Sequence, residues 1–524
     1  MNKNIIKAIA LFMGMTMLLS SCVKINTGDN GEKGEGEVEL SYWLTLNANV
    51  ATYASDLNST EFAKNLMEKT GVKVKFEHPI AGQEKEQFAL MIASEKMPDI
   101  VEYGWGGYPG GVEKALEDKK ILRINDFLEN STPNFNKLIT ENPDIATAVK
   151  VSNGDIFAFP FVRGDEILMT FFGGMIRLDW LTELGLSVPE TISEWETVLT
   201  AFKEKGVEYP VSYNMSSATL NAAPIFLGAY GVKNDYYREG DVIKFGPMEP
   251  GYKSYLETMN KWYQKGLLDK DFPSNLTDSK RLTSLVINNQ TGATFGYCGA
   301  DFGKYISGLA EVDPSYKLVP VKYPVLKKGD PVEFAQRDAP VTTNLTAISG
   351  SCKVPDIAAK FLDFGYSEEG IIFNNFGIEN ESYTKIDGKY VYTDIVTDPD
   401  KNGGLSVAQG VSKYARASYN GAFIQHGDYV LQSYSNQEQK DALLLWQQNN
   451  MSNYLIPVIN LSAEDSIELS KINTDIDTYS QETIFKIIMQ PDGMQLYDEF
   501  IKNLENLGIK RAIEIRQNAY NKAK

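Results

Sequence analysis

Only two histidines, His78 and His426, occur in 524 residues. Neither has a histidine or cysteine neighbour at metal-ligand spacing, which argues against a zinc site. A Ser–His–Asp triad would need one of the two, and the sequence contains no Gly-x-Ser-x-Gly elbow. Cysteine is nearly as scarce: Cys22, Cys298 and Cys352 are the three. Without a Cys-x-x-Cys pair, zinc ribbons and thioredoxin-like chemistry are excluded, and Cys298 and Cys352 read as buried free thiols rather than a disulfide. Base is also short. The 51 Lys and Arg face 69 Asp and Glu, a formal net charge of −18, and nucleic acid is an unsuitable partner because phosphate binding needs a basic face. No apolar run reaches the roughly 20 residues that span a bilayer. The glycines at 104, 106, 107, 110 and 111 fit no phosphate-binding pattern, since Pro109 stands where Gly-x-Gly-x-x-Gly needs its last glycine.

What is present begins with an address. Lys3 and Lys7 precede an apolar run from Ala8 to Leu19, about 12 residues long and of signal-peptide length. It ends in Leu19-Ser20-Ser21-Cys22, which resembles the bacterial lipobox, whose cysteine is acylated and becomes the mature N-terminus. Residues 1–21 are therefore expected to be a lipoprotein signal peptide. Residues 22–37 are expected to be a lipidated cysteine followed by a flexible tether, because Thr27–Glu37 is rich in glycine and charge and lacks anything to bury. The protein is expected on the outer face of the cell membrane, held there by lipid alone.

The roughly 490 residues from Val38 onward exceed one compact core, so two lobes are expected. Val38, Leu40, Tyr42 and Leu44 alternate as a strand, and so do Val72, Val74 and Phe76. Between them Thr60 opens a helix that Gly71 ends. A third strand follows Pro98. Strand–helix alternation of this kind implies parallel strands with helices on their faces, an α/β fold. Thr191 and Glu194 form a capping box ahead of Trp195, Val198, Leu199 and Phe202. Trp180, Trp195 and Trp262 lie on helical faces and are expected in the core. Asp398, Asp400 and Asn402 match the start of a calcium loop, but Gln409 stands where the bidentate carboxylate belongs, and a plain turn is the better reading.

Met97-Pro98-Asp99-Ile100-Val101 and Asn153-Gly154-Asp155-Ile156-Phe157-Ala158-Phe159-Pro160 resemble segments of sugar-type extracellular solute-binding proteins. The stretch from Arg177-Leu178-Asp179-Trp180-Leu181 through Gly185-Leu186-Ser187-Val188-Pro189-Glu190-Thr191 to Glu194-Trp195 resembles Gram-positive lipoproteins of oligosaccharide and aldouronate-type ABC importers. Gly266-Leu267-Leu268-Asp269, Leu507-Gly508-Ile509 and Ala519-Tyr520 fit the same pattern, so the resemblance covers nearly the whole chain. It implies a two-lobed, periplasmic-binding-protein-like fold with a hinge and an interlobe cleft. The expected N-terminal lobe is 38–159 plus about 322–380, and the C-terminal lobe is 160–321 plus about 381–524. The implied protein is a monomer that binds an oligosaccharide, uses no cofactor, and delivers its ligand to ABC permease subunits without catalysis.

A sugar offers apolar C–H faces and many hydroxyls, so aromatic rings and Asp, Asn, Gln or Arg side chains are its natural partners. In such folds the cleft is lined by loops at strand ends. That nominates Trp43 and Asn47 after the first strand, and Trp105 and Tyr108 in the glycine loop. It also nominates Arg163 and Asp165 past the first crossing, Tyr297, Asp301 and Phe302 after a later strand, and Arg337 and Asp338 before Pro340. Two arginines in the site would suit an acidic sugar. A surface glycoside hydrolase or lyase using paired carboxylates stays open as an alternative, as does the same fold binding a peptide or other solute.

Overall fold

The computed structural model describes residues 38–94, 96–214, 226–276, 278–313, 315–434 and 436–523. The signal peptide, Cys22 and the tether lie outside the described residues. Glu39–Lys524 forms one compact unit.

In chain order the described strands are β1 (Glu39–Trp43), β2 (Lys73–Glu77), β3 (Ile100–Tyr103), β4 (Phe159–Arg163), β5 (Phe172–Arg177), β6 (Tyr209–Val211), β7 (Tyr236–Glu239), β8 (Val242–Phe245), β9 (Thr291–Tyr297), β10 (Leu318–Val321), β11 (Val341–Ile348), β12 (Tyr383–Ile386), β13 (Lys389–Tyr392) and β14 (Phe423–Gln425). They build two main sheets. The first has six strands in the order β14-β4-β11-β3-β1-β2, and the second has four in the order β10-β5-β9-β6. β1 runs parallel to β2 and β3, as the crossover pattern implies, with Tyr42 opposite Phe76 and Ile100. β11 returns antiparallel between β3 and β4, and β14 runs parallel to β4. β1, β3, β4 and β14 therefore all finish at the same edge. In the second sheet β5 is antiparallel to β9 and β10, and β6 is parallel to β9. The chain passes from the end of β4 to the start of β5 within a few residues, so the ends of β6, β9 and β10 face that crossing.

Each sheet carries its own core. Leu40, Val74, Ile100, Val101 and Ala347 are buried in the first, and Trp195, Phe202, Trp262 and Phe295 in the second. Local signals set the elements that cover them. Thr60 Oγ1 accepts from the Ala63 amide at 3.2 Å, and Gly71 closes the helix Glu61–Thr70 in the left-handed conformation at φ 67°. The capping box of Thr191 and Glu194 opens the helix Ile192–Glu204, whose Trp195 and Phe202 are fully buried. Trp180 is only partly buried; the Arg177 guanidinium lies 4.1 Å from its ring. Trp446 lies flat on β5 because Gly173 has no side chain there: a Cβ would run into the indole.

The expected division at about residue 380 differs from the structure. β14 pairs with β4 in the first sheet, and the helix Val407–Tyr414 packs on Glu61–Thr70, so residues 381–425 do not group with the second sheet. A three-residue strand has no period to read, which is why the sequence pattern misses this return. Asp398, Asp400 and Asn402 belong to the helical turn Pro399–Asn402. Asp398 caps it by accepting from the Asp400 amide at 3.0 Å, and buried Asn402 donates to Val396 and Leu405 carbonyls. Among the described residues no group of three or more His, Cys, Asp or Glu is placed to hold a metal ion. Cys298 and Cys352 are buried and unpaired, as expected. No described helix is long and apolar enough to cross a membrane.

Candidate functional site

In α/β sheets ligands bind beyond the carboxyl ends of the strands. Here that edge is where the chain crosses between the sheets, at 163–171, 335–341 and 425–430. The crossings are riveted together. Gln336, 2% exposed, accepts from the Phe171 amide at 2.8 Å and the Phe172 amide at 3.3 Å, and donates to the Met169 carbonyl at 3.2 Å and to Asp338 at 3.0 Å. The Asp165 carboxylate lies against Gly427, where any side chain would collide with it. Gln336 thus ties the second crossing to the first, and the close approach at Gly427, with the Gly164 amide donating to the Gln425 carbonyl at 3.0 Å, sets the third against it.

Arg163 ends β4 at this edge. It donates to Asp338 Oδ2 at 2.9 Å and to the Ala339 carbonyl at 3.1 Å. Its guanidinium sits 5.9 Å from the Phe161 ring and 6.0 Å from the Phe171 ring. Each of those rings leads to an exposed tyrosine. Tyr419, 55% exposed, meets Phe161 edge-on at 6.1 Å, and Tyr297, 39% exposed, stacks on Phe171 at 6.1 Å. The result is a row, Tyr419–Phe161–Arg163–Phe171–Tyr297, running from the first sheet across the crossing to the second. Free aromatic faces at both ends suit the apolar face of a sugar ring.

Buried polar contacts hold this row in place. The loop carrying Tyr419 follows Arg416, which donates to both oxygens of Glu102 at 3.1 and 2.9 Å; Tyr42 donates to the same carboxylate at 2.8 Å. Asn47, just past β1, donates to the Ala417 carbonyl at 2.8 Å and steadies the same loop. At the other end Asp301 accepts from the Tyr297 amide at 2.8 Å. Burial raises the pKa of Asp338 and of Asp301 above the usual carboxylate range; for Asp338 the Arg163 charge opposes the rise. Arg337 makes no contact with the rings of this row. It pairs with Glu166 at 2.5 Å, and its side chain is 5% exposed. A cavity of about 1020 Å³ opens at the crossing next to this row, and Arg163, Asp165, Met169, Arg337 and Pro340 are among its lining residues.

The nominated residues thus separate. Arg163, Asp338 and Tyr297 gather at the crossing, Asp301 holds the Tyr297 amide, and Asn47 holds the Tyr419 loop; Asp165 and Arg337 line the cavity with Arg163. The nominated rings Trp43, Trp105, Tyr108 and Phe302 do not present a face to a ligand. Trp105 is 1% exposed because the short 3₁₀ turn Trp105–Gly107 folds it under Phe88, edge-on at 5.3 Å. Trp43 is buried between Phe88 and Tyr103. Tyr108 is buried with its hydroxyl donating to Asp118 at 2.9 Å. Phe302, at the end of the helical turn Cys298–Phe302, is fully buried against Trp446. Sequence reasoning missed Tyr419, Phe161, Phe171 and Gln336. Only Tyr419 carries a local hint, as an aromatic inside the turn-forming run Ala417-Ser418-Tyr419-Asn420-Gly421.

Known proteins share this architecture. A family model described as bacterial extracellular solute-binding protein matches residues 53–372, more than half of the chain. The fructooligosaccharide ABC transporter substrate-binding protein FusA of Streptococcus pneumoniae is 22% identical over 558 aligned positions, covering 99% of this chain and 98% of the relative. Among solved structures, a solute-binding protein from Bifidobacterium longum infantis, titled as binding HMO and associated with an ABC transporter, aligns with a TM-score of 0.73 at 19% identity, covering 93% of this chain and 99% of that one. The alginate-binding protein AlgQ2 aligns with a TM-score of 0.67 at 23% identity, over 93% and 99% of the two chains. Both structural likenesses are likenesses of fold.

Proposed function

The chain belongs to the bacterial extracellular solute-binding proteins, and from that premise we propose that it captures an oligosaccharide at the crossing between its two sheets and delivers it to the permease of an ABC importer. The observation that carries the reading is the row from Tyr419 to Tyr297. It offers two exposed aromatic faces, one attached to each sheet, with hydrogen-bonding Arg163 and Asp338 between them. Capture would close the lobes about the crossings, a known response of such two-lobed folds to ligand. We assign the first lobe to 39–163 with 341–425, and the second to the segments built on β5, β6, β9 and β10. FusA is named for a fructooligosaccharide ligand, which supports the choice of ligand class.

The protein is further proposed to act as a monomer on the outer face of the membrane, anchored by diacylation of Cys22. Two acyl chains suffice for stable attachment. It is proposed to bind without turnover. Asp338 and Asp301, with raised pKa values beside Tyr297, are the carboxylates that a glycoside hydrolase reading would use instead. A thermal-shift screen over oligosaccharides, peptides and amino acids tests the proposal, because a ligand that binds only the folded state raises its melting temperature. Stabilisation by peptides alone would overturn the ligand class. New reducing ends accumulating over repeated turnovers would overturn the non-catalytic reading.

A further inference from the structure

The proposed oligosaccharide ligand leaves open whether the sugar carries charge, and the pairing of the arginines bears directly on that question. A uronate is recognised by a guanidinium whose donor edge is free for two parallel hydrogen bonds. At the crossing each arginine already has a carboxylate or carbonyl partner. Arg163 is committed to Asp338 and the Ala339 carbonyl. Arg416 is committed to both oxygens of Glu102 and is buried beneath the Tyr419 loop. Arg337 is paired with Glu166; its Nε has no partner, but that atom is buried and presents no edge to a ligand. Arg238, which lines the adjoining cavity, donates to the Leu455 and Gly240 carbonyls. Lys233 faces Asp235 at 3.6 Å.

The carboxylates outnumber these cations. The cavity at the crossing is lined by Glu141, Asp144, Asp165 and Glu166 against Arg163, Arg238 and Arg337. Along the aromatic row Asp338 pairs with the Arg163 guanidinium and also feels the Lys233 charge, while Asp301 accepts from the Tyr297 amide and feels the Lys304 charge. Burial holds both of these carboxylates above their usual pKa, a sign that the surroundings already disfavour negative charge. A second carboxylate brought in by a ligand would meet repulsion in a partly desolvated site, where like-charge contacts are costly.

We infer that the ligand is an uncharged oligosaccharide, and that Asp338, by occupying Arg163, is the residue that excludes uronates. This rests on the proposed function. The free groups that remain, the faces of Tyr297 and Tyr419 and the unshared lone pairs of Asp338 and Asp301, suit C–H faces and hydroxyl donors, not carboxylates.

Calorimetric titration of the full-length protein tests the inference. The probes are neutral fructo-, malto- and galacto-oligosaccharides of three to five units, set against oligogalacturonates and oligoalginates of the same lengths. At least one neutral sugar is expected to bind, with every uronate at least about 100-fold weaker, the equivalent of a modest like-charge penalty. In the variant Asp338→Asn the ratio of uronate to neutral affinity should rise by about tenfold or more, because Arg163 is then freed of its carboxylate. A uronate binding within tenfold of the best neutral sugar in the unaltered protein would overturn the inference, whatever the variant does. Binding of peptides but of no sugar would instead overturn the proposed function on which it rests.

Discussion

Replacing Tyr419 and Trp105 separately by alanine should give opposite results, and the structure supplies the magnitudes. Tyr419 is 55% exposed and Trp105 is 1% exposed. A tyrosine in a core buries about 200 Å², so the covered part of Tyr419, against Phe161, amounts to roughly 90 Å² and at about 25 cal/mol per Å² to at most about 2 kcal/mol of stability. Its free face is the larger asset. Losing a stacking surface of this kind costs about 1–3 kcal/mol of binding, about 5- to 150-fold in affinity. Trp105→Ala removes a fully packed indole and should cost about 3–5 kcal/mol of stability while leaving the affinity of the folded fraction nearly unchanged. Urea denaturation gives the first quantity and calorimetry with a bound oligosaccharide the second. Tyr419→Phe separates the ring from its hydroxyl and should retain most of the affinity. If Trp105→Ala abolished binding at unchanged stability while Tyr419→Ala bound normally, the glycine loop would be the ligand platform and the aromatic row would not.

Arg416→Met should destabilise the protein by about 3–5 kcal/mol, because Glu102 is left buried without its partner, and the double variant with Glu102→Leu should recover much of the loss in urea titrations. Burial opposes ionisation of Glu196, but hydrogen bonds from Lys265, Lys261 and Trp262 outweigh it and hold its pKa at about 2. A carboxylate with a lowered folded-state pKa stabilises the protein above its ordinary pKa and loses that contribution as pH falls through the folded value. The stability gap between the natural protein and Glu196→Gln should therefore be full at neutral pH and shrink as pH drops from about 4.5 toward 2, followed by denaturation at each pH. Cys22→Ala should move the protein from the membrane fraction to the medium without changing its ligand affinity; a variant that stays with the membrane at precursor length would contradict the lipid anchor.

Much of the architecture was legible because it is local. The alternation at Leu40 and Tyr42, the Thr60 cap and the Thr191–Glu194 box each act over a few residues, and each appears where its spacing places it. The ligand-facing rings were not legible, for a physical reason. Glycines around Trp105 suggest an exposed loop, but its burial is decided by Phe88, a residue of another element. Gln336 joins Phe171 across 165 positions, and the placing of Tyr419 depends on a salt bridge spanning 314. Such contacts leave no periodic trace. Arg163 and Arg337 lie at the crossing, yet their role depends on which carboxylates fold back on them, and that is fixed only in three dimensions.

The most direct test of oligosaccharide capture by the aromatic row at the crossing is a crystal structure of the protein with a bound neutral oligosaccharide. A sugar ring stacked on Tyr297 or Tyr419, with hydroxyls donating to Asp338 or Asp301, is the expected result. A sugar seated in the cavity among Arg238, Arg337 and Leu455, with both tyrosine faces empty, would contradict it.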